Sequence, residues 1–170
     1  MTPETQVPDA EAALAALVER MRGAVGHDAA LVGIYSGGAW LAERLAAILP
    51  GAHALGFIDV SYYRDDYAIS GLKPNTKRSS LPFDVENASI VLVDDVLYTG
   101  RTVRAAINEL FDWGRPERIE LAVLVDRGGR ELPIEPTYAG ARLAVARDLS
   151  IVLSRAEDGR LTLTTEAGGA

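Results

Sequence analysis

Short apolar runs alternate along the chain with stretches in which apolar residues recur every three or four positions. The runs at 30–34, 90–93 and 118–125 predict strands that are buried on both faces, as in a parallel sheet. A periodic stretch precedes the first run, and another follows each of the first two, so helices are predicted at those places. The pattern therefore favours an α/β fold in which helices flank a mainly parallel sheet.

The ends of the predicted helices carry capping residues. Asp9 is the candidate N-cap of the first helix, whose apolar stripe runs from Leu14 to Met21 and which Gly23 ends. The second helix carries its stripe from Leu41 to Leu49, before a Pro-Gly pair. Both stripes are most simply interpreted as core or partner packing.

The second half of the chain predicts shorter elements. A strand is expected from Leu55 to Tyr63, and a polar stretch follows it. Three short strands are expected beyond Gly140, at 143–145, 151–153 and 161–164. The last two are expected to form a hairpin through Glu157-Asp158-Gly159, and residues 166–170 are expected to be a disordered tail. With no repeat or linker, the 170 residues predict one domain.

Composition narrows the functional classes. The chain has no cysteine, which excludes disulfides, thiol catalysis and zinc–thiolate sites. The first nine residues lack the regions of a secretory signal, so a cytoplasmic protein is expected. The net charge of −7 lowers the expectation of nucleic-acid binding, which depends on cationic side chains. His27 and His53 have no metal-ligand spacing and are interpreted as structural or exposed.

The segment 90–102, called the signature segment below, carries the clearest chemistry. Its apolar run is followed by Asp94 and Asp95, by a turn with Thr99 and Gly100, and by a helix. Ligands bind beyond the carboxyl ends of such strands, and the amides of the helix start suit a phosphate. The carboxylates suit ribose hydroxyls or the waters around Mg²⁺. The segment predicts a ribose 5-phosphate site; the alternative is a capped helix with a solvated acidic pair.

Two further turns follow predicted strands. Tyr35-Ser36-Gly37-Gly38 precedes the second helix, and glycines there are by themselves more typical of a tight turn. Asp126 and Arg127 follow the strand at 118–125, on the ligand side of the sheet. They are compatible either with a binding site or with a surface turn held by an ion pair.

From Val91 to Thr102 the chain resembles the phosphoribosyl-diphosphate (PRPP) signature of type I phosphoribosyltransferases. The sequence Val-Asp-Asp-Val-Leu-Tyr-Thr-Gly-Arg-Thr is similar to that of the PyrR family, which are pyrimidine operon regulators with uracil phosphoribosyltransferase activity. Residues 121–128 and 130–134 add to this resemblance, which covers about 9–140. It implies a type I phosphoribosyltransferase fold with a flexible arm at about 64–80 and a small hood.

The resemblance also implies roles for particular residues. Asp94 and Asp95 would be the catalytic acidic pair, and Asp126 and Arg127 would flank the base. PRPP or nucleotide would be bound by Val96, Leu97, Tyr98, Thr99, Gly100, Arg101 and Thr102. The pyrophosphate loop would be Ser36, Gly37 and Gly38, and the arm would contribute Arg64, Lys77 and Arg78. Mg²⁺ would arrive with PRPP, with no direct protein ligand.

The chain departs from the family pattern at two places. The PyrR pattern in the pyrophosphate loop resembles Arg-Thr-Arg-Gly, whereas this chain has Tyr35-Ser36-Gly37-Gly38, so two cationic contacts are lost. The family tends to have histidine where this chain has Gly129. Cations of the arm could compensate for the missing arginines.

Three functions follow from the resemblance. The favoured one is uracil phosphoribosyltransferase activity, which converts PRPP and uracil to UMP and pyrophosphate, in a protein expected to be a homodimer. The second is an RNA-binding attenuator of pyrimidine genes. The net charge of −7 makes this less expected, because an RNA-binding surface needs a cluster of basic residues. The third is transfer to another base, such as a purine.

Overall fold

The computed structural model describes residues 6–60 and 79–168. Most of the predicted arm, with Arg64, Lys77 and Arg78, lies outside the described residues, and so do the last two residues of the predicted tail.

In the described ranges the chain alternates strands and helices before it ends in a hairpin. The helices are α1 (Ala10–Met21), α2 (Gly37–Ile48) and α3 (Arg101–Trp113). The strands are β1 (Ala30–Ile34), β2 (Leu55–Ile58), β3 (Ser89–Leu97), β4 (Arg118–Asp126), β5 (Tyr138–Arg142), β6 (Leu149–Arg155) and β7 (Leu161–Ala167).

The first five strands form one sheet in the order β2-β1-β3-β4-β5, and every neighbouring pair is parallel. Strand β3 is central, and its apolar run from Ile90 to Val93 is fully buried. A strand with apolar side chains on both faces is stable only where both faces are covered. The predicted α/β class is therefore confirmed.

Helices cover both faces of the sheet. Buried side chains of α1 and α2 pack in one core cluster, and those of α3 pack in the other. The predicted cap of α1 is confirmed, since the Asp9 carboxylate accepts a hydrogen bond from the Ala12 N–H at 2.8 Å. This arrangement leaves the carboxyl ends of β1, β3 and β4 together at one edge, where ligands bind in such sheets.

Strands β6 and β7 form a separate antiparallel hairpin, called the hood below. The predicted turn at 157–159 lies between them. The Glu11 carboxylate of α1 accepts hydrogen bonds from Arg44 and from the Leu161 N–H at the start of β7. The pKa of Glu11 lies below its usual value, chiefly because of the hydrogen bond from Arg44. Glu11 therefore links the hood to both helices on this face.

Strand β3 continues further than the sequence predicts. The acidic pair was expected to end it, yet β3 runs through Asp94 and Asp95 to Leu97. Each carboxylate accepts a hydrogen bond from the next residue's N–H, Asp94 from Asp95 at 2.9 Å and Asp95 from Val96 at 2.8 Å. Each carboxylate thus has a backbone hydrogen-bond donor while the chain stays extended. Strand β4 remains paired with β3 over these residues.

Three other predicted boundaries are wrong. Residues 143–145 are not a strand; β5 ends at Arg142, and Leu143 and Val145 pack against the core from a loop. Strand β2 ends at Ile58, before the predicted limit at Tyr63, which lies outside the described residues. The predicted tail begins too early, because β7 pairs with β6 up to Ala167 and the Gly168 N–H donates to the Asp148 carbonyl at 2.7 Å.

Candidate active site

A cavity of about 380 Å³ opens at the carboxyl end of β3. Its lining combines residues of the signature segment and the next residue of α3 with one residue after β4 and two from the hood. The lining residues are Asp94, Val96, Leu97, Tyr98, Thr99, Gly100, Arg101, Thr102, Val103, Arg127, Ser150 and Ile151. All seven predicted nucleotide-binding residues, from Val96 to Thr102, thus share one cavity.

The turn between β3 and α3 is fixed by its carbonyl groups. The carbonyl of Leu97 accepts from the Arg127 N–H, and that of Tyr98 accepts from the Arg130 side chain. The carbonyl of Thr99 accepts from the N–H groups of residues 131 and 132, at 3.0 and 3.1 Å. Three successive carbonyls therefore face the segment that follows β4.

This arrangement sets the direction of the amides in the same turn. In a trans peptide the N–H points opposite to the C=O, so the N–H groups of Tyr98, Thr99 and Gly100 point away from the segment 127–132. Gly100 adopts a positive φ of 92°, which glycine tolerates, and lies against Ile134. Successive amides on the concave side of a turn are a suitable site for an anion.

The start of α3 uses one of its own side chains. The Arg101 N–H donates to the Thr99 hydroxyl at 3.2 Å, so this amide already has a protein partner. The Arg101 guanidinium lies 3.4 Å from the Glu131 carboxylate, and both side chains are about half exposed. An exposed pair of this kind contributes little to stability.

The two acidic residues lie in different surroundings. Asp94 is 6% exposed and lines the cavity. Asp95 is half-buried and lies so close to Gly37 that any side-chain carbon at position 37 would collide with the Asp95 carboxylate. The acidic pair therefore points to two neighbouring places, one inside the cavity and one beside the loop at 36–38.

The predicted pyrophosphate loop lies next to the acidic pair. Gly38 packs so closely against the Val93 carbonyl that a side chain could not fit. Ser36 is exposed at the start of α2, and its side chain makes no capping hydrogen bond. Tyr35 turns its ring to Phe57, with the centroids 5.5 Å apart. Backbone amides and one hydroxyl are thus available at this loop, and the sequence 35–38 supplies no cation.

Asp126 is held in an ion network and is not among the residues that line the cavity. It is 5% exposed, and its carboxylate accepts from Arg130, Arg142 and the Gly128 N–H at 2.7–3.0 Å. Burial raises the pKa of Asp126, but the hydrogen bonds from Arg130 and Gly128 and the charges of both arginines outweigh it, so the pKa is lowered. Asp126 therefore takes part in ion pairs, but at a buried turn and not at the surface turn of the alternative interpretation. Its role beside the base stays a prediction.

Arg127, in contrast, lines the cavity. It is 5% exposed, and its guanidinium donates to the carbonyls of Leu149 at 2.7 Å and Ala146 at 2.9 Å. The same guanidinium lies over the ring of Tyr98, 4.0 Å from its centroid. Asp126 and Arg127 are adjacent in sequence but bind different partners, since Asp126 binds two arginines and Arg127 binds carbonyls at the start of the hood.

The sequence did not single out Ser150 and Ile151, the two hood residues in the cavity lining. A strand was predicted at 151–153, yet no local pattern indicated that its first residues return to the carboxyl end of β3. The histidines lie elsewhere: His53 lies between the carbonyls of Ala29 and Pro50. Over residues 6–60 and 79–168, no cluster of three metal-ligating side chains occurs, and no helix could cross a membrane.

Comparisons with known protein families and sequences support the resemblance. A family model described as "Phosphoribosyl transferase domain" matches residues 5–142. The chain is 53% identical over 169 residues to "Bifunctional protein PyrR" of Ralstonia nicotianae, covering 95% of this chain and 97% of that protein. It is 50% identical over 122 residues to the protein of the same name in Pseudomonas aeruginosa, with 72% of each chain covered.

Solved structures share the fold. A purine phosphoribosyltransferase from Pyrococcus horikoshii is 28% identical, with a TM-score of 0.58 and 80% of this chain and 85% of that chain covered. A hypoxanthine-guanine phosphoribosyltransferase from Bacillus anthracis superposes with a TM-score of 0.64 at 15% identity, with 88% of each chain covered. The second likeness concerns the fold alone.

Proposed function

Since this chain belongs to the phosphoribosyltransferase family and, within it, to the PyrR family, we propose that it transfers the phosphoribosyl group from PRPP to uracil. The products are UMP and pyrophosphate. The observation that carries the proposal is the cavity at the end of β3, in which the whole predicted nucleotide-binding turn meets Asp94 and the hood.

The 5-phosphate is assigned to the turn from Tyr98 to Thr102. The support is the direction of its amides, which follows from three carbonyls that are bonded on the opposite side. Thr102 and Arg101, at the start of α3, add a hydroxyl and a positive charge. The N-terminus of α3 also favours an anion at this place.

Asp94 and Asp95 are assigned to the ribose. Carboxylates accept hydrogen bonds from vicinal hydroxyls, and they lower the energy of positive charge that develops on a sugar ring as its bond to the leaving group breaks. The leaving pyrophosphate is assigned to Ser36, Gly37 and Gly38, which lie beside Asp95. The site then works by positioning and electrostatics, without a covalent intermediate.

Magnesium is assigned to the substrate, as Mg²⁺–PRPP. Two adjacent carboxylates without a third ligand in the described residues fit a hydrated cation that is held mainly by diphosphate oxygens. Removing divalent metal with excess EDTA should abolish turnover, and restoring Mg²⁺ should recover it. Full activity in EDTA would contradict the assignment.

Uracil is assigned to the part of the cavity that Tyr98, Arg127 and the hood residues Ser150 and Ile151 line. The decisive experiment compares turnover of uracil, hypoxanthine, guanine and orotate with Mg²⁺–PRPP under identical conditions. The proposal expects uracil to be used at least tenfold more efficiently than the others. Preference for a purine would contradict it and would agree with the purine enzymes that share the fold.

A second function is supported by the name of the relatives, "Bifunctional protein PyrR". We propose that nucleotide binding in the cavity is coupled to binding of a pyrimidine-gene leader RNA. Salt-dependent filter binding with and without UMP tests this, because RNA contacts to arginines weaken steeply as salt rises. Absence of binding at low salt would leave catalysis as the sole function. The homodimer and the cytoplasmic location stay predictions.

A further inference from the structure

We propose that Arg127 is a positioning residue that holds the hood against the signature segment and so sets the size of the base that the cavity accepts. The inference rests on the proposed function, because it concerns the base end of the same cavity. It differs from a role of Arg127 in contacting the base alone, since both terminal nitrogens of its guanidinium donate to backbone carbonyls, and only the buried Nε has no partner in the described residues.

The first support is the set of carbonyls around the guanidinium. One terminal nitrogen donates to the Leu149 carbonyl at 2.7 Å, and the other donates to the Ala146 carbonyl at 2.9 Å and to that of Val145 at 3.5 Å. These carbonyls belong to the loop before β6 and to the first residue of β6. Because the arginine is 5% exposed, its bonds face little competition from water.

The second support is the stacking on Tyr98. The guanidinium carbon lies 4.0 Å from the centroid of the ring, a close cation–π contact. Tyr98 belongs to the turn whose carbonyls are bonded to the segment 127–132. Carbons of the ring also lie so close to Gly129 that a side chain at that position would collide with them. One side chain therefore connects the start of the hood to the turn that binds the phosphate.

The third support is the position of the hood residues in the cavity wall. Ser150 and Ile151 line the cavity and directly follow Leu149, whose carbonyl Arg127 holds. The distance from this wall to Tyr98 is therefore set by the length of the arginine side chain. A planar guanidinium bonds several carbonyls at fixed angles, which an ammonium group does not do.

Other contacts fasten the hood farther from the cavity. Arg155 lies 3.5 Å from Glu43 and 4.9 Å from the centroid of Trp40, and both ion-pair partners are more than two-fifths exposed. Exposed pairs contribute little and are screened by salt. Arg155 thus provides a matched control, because it is an arginine that binds the same hairpin to helix α2 without lining the cavity.

The fourth support is the volume of the cavity, because the hood forms the wall that limits the size of the base. At about 380 Å³ it lies near the lower end of the range of roughly 300–1,000 Å³ that is typical of ligand pockets. The same fold accommodates purines in a relative from Pyrococcus horikoshii, so the sheet and helices do not themselves exclude a two-ring base. A hood held close to Tyr98 favours a one-ring base.

The test measures equilibrium binding of UMP and IMP, which share the ribose phosphate and differ in base size. For Arg127→Gln we expect the ratio of the IMP to the UMP dissociation constant to fall at least tenfold. Arg127→Lys should lie between the wild type and Arg127→Gln, and Arg155→Gln should keep the wild-type ratio within twofold. Thermal unfolding of each variant verifies that it is folded.

An unchanged ratio in folded Arg127→Gln would overturn the inference, and so would an equal change in Arg155→Gln. If Arg127→Gln does not fold, Ile151→Ala widens the same wall and should lower the ratio at least threefold; an unchanged ratio there overturns the inference as well. Failure of the proposed function is distinct, because wild-type protein would then turn over a purine or bind UMP no better than IMP.

Discussion

At the scale of single residues, Asp94 and Asp95 show how two identical neighbours acquire different surroundings. Successive side chains of a strand point to opposite faces, so adjacent carboxylates cannot share one environment. Asp94 is buried in the cavity wall, whereas Asp95 reaches the loop at 36–38. The close fit of Gly37 against Asp95 explains why this loop has no room for a larger residue there.

Replacing Asp95 tests the acidic pair directly. Asp95→Asn keeps the size of the side chain and removes its charge, so kcat with uracil and PRPP should fall by about 10²-fold, the order found when one electrostatic contact to a transition state is lost. Asp158→Asn, in the turn of the hood, is the control and should keep wild-type kcat. Equal kcat for Asp95→Asn and wild type would contradict the role of the pair.

A second residue-scale prediction concerns Glu109, a buried carboxyl on α3. Burial raises its pKa, a hydrogen bond from Ser79 lowers it, Asp59 and Asp112 raise it, and the net shift is upward. Its Oε2 atom is buried without a hydrogen-bond partner. A raised folded pKa means that the folded protein binds the proton more tightly than the unfolded chain, so stability falls as pH rises through that pKa.

Glu109→Gln removes this charge. At pH 7–8 the variant should unfold with a free energy about 1 kcal/mol higher than that of the wild type, and the difference should shrink as pH falls toward 4, where the wild-type carboxyl is neutral. Urea unfolding at several pH values measures it. Glu117→Gln, an exposed carboxyl after α3, should change stability by less than about 0.5 kcal/mol. A Glu109→Gln variant less stable than wild type at pH 8 would disprove the prediction.

At the scale of elements, the sequence predicted what local patterns determine. The cap of α1, the strands at 30–34 and 118–125, and the hairpin of the hood all follow from apolar periodicity and capping residues. The extension of β3 through its two carboxylates was missed, because polar residues end a strand in any local interpretation. It depends on the pairing offered by β4, which lies far away in the sequence.

The error at 143–145 has the same origin. The three apolar residues at these positions were interpreted as a strand, but Leu143 and Val145 pack against the core from a loop. In this loop the carbonyls of Val145 and Ala146 accept from Arg127. A hydrogen-bond donor that comes from eighteen or nineteen residues earlier has no local signature. Strand β5 instead forms at Tyr138–Arg142, where β4 offers an open edge.

Asp126, at the end of β4, forms an ion pair with Arg142, at the end of β5. The stability that this ion pair contributes should depend on pH. The pKa of Asp126 is lowered in the folded protein, because its hydrogen bonds and the two arginines outweigh the effect of burial. A lowered folded pKa gives stability that is present above the unfolded value and is lost as pH falls through the folded one. The contribution should therefore be complete at neutral pH and disappear in acid.

Asp126→Asn tests this ion pair. At pH 7 the variant should be less stable by about 2 kcal/mol, the order of one charge-assisted hydrogen bond, and the difference should decrease below pH 4. Unfolding in urea at pH 7, 5 and 3.5 measures it, with the exposed Asp148→Asn as control. A difference that stays constant across these pH values would mean that packing, rather than charge, determines the effect.

At the scale of the whole molecule, the site is assembled from parts that differ in how well the sequence reveals them. The turn from Val96 to Thr102 is continuous in the chain, so its residues could be predicted together. The loop at 36–38 comes to it because β1 and β3 are neighbours in the sheet. The strand–turn–helix pattern indicated a parallel sheet but not this strand order. Ser150 and Ile151 come from the hood, where the family resemblance fades and no motif remains.

Because sheet, helix and hood all contribute to one cavity, a ligand that fills it should stabilise the entire fold. UMP at about 100 times its dissociation constant should raise the free energy of unfolding by about 2.7 kcal/mol, as mass action requires for a ligand that binds the folded state alone. Thermal unfolding with increasing UMP measures the effect. Uridine has the same base and sugar without the phosphate, so at the same concentration it should stabilise much less. Equal stabilisation by uridine and UMP would mean that the amides of the turn hold no phosphate, and the assignment of the signature segment would then be wrong.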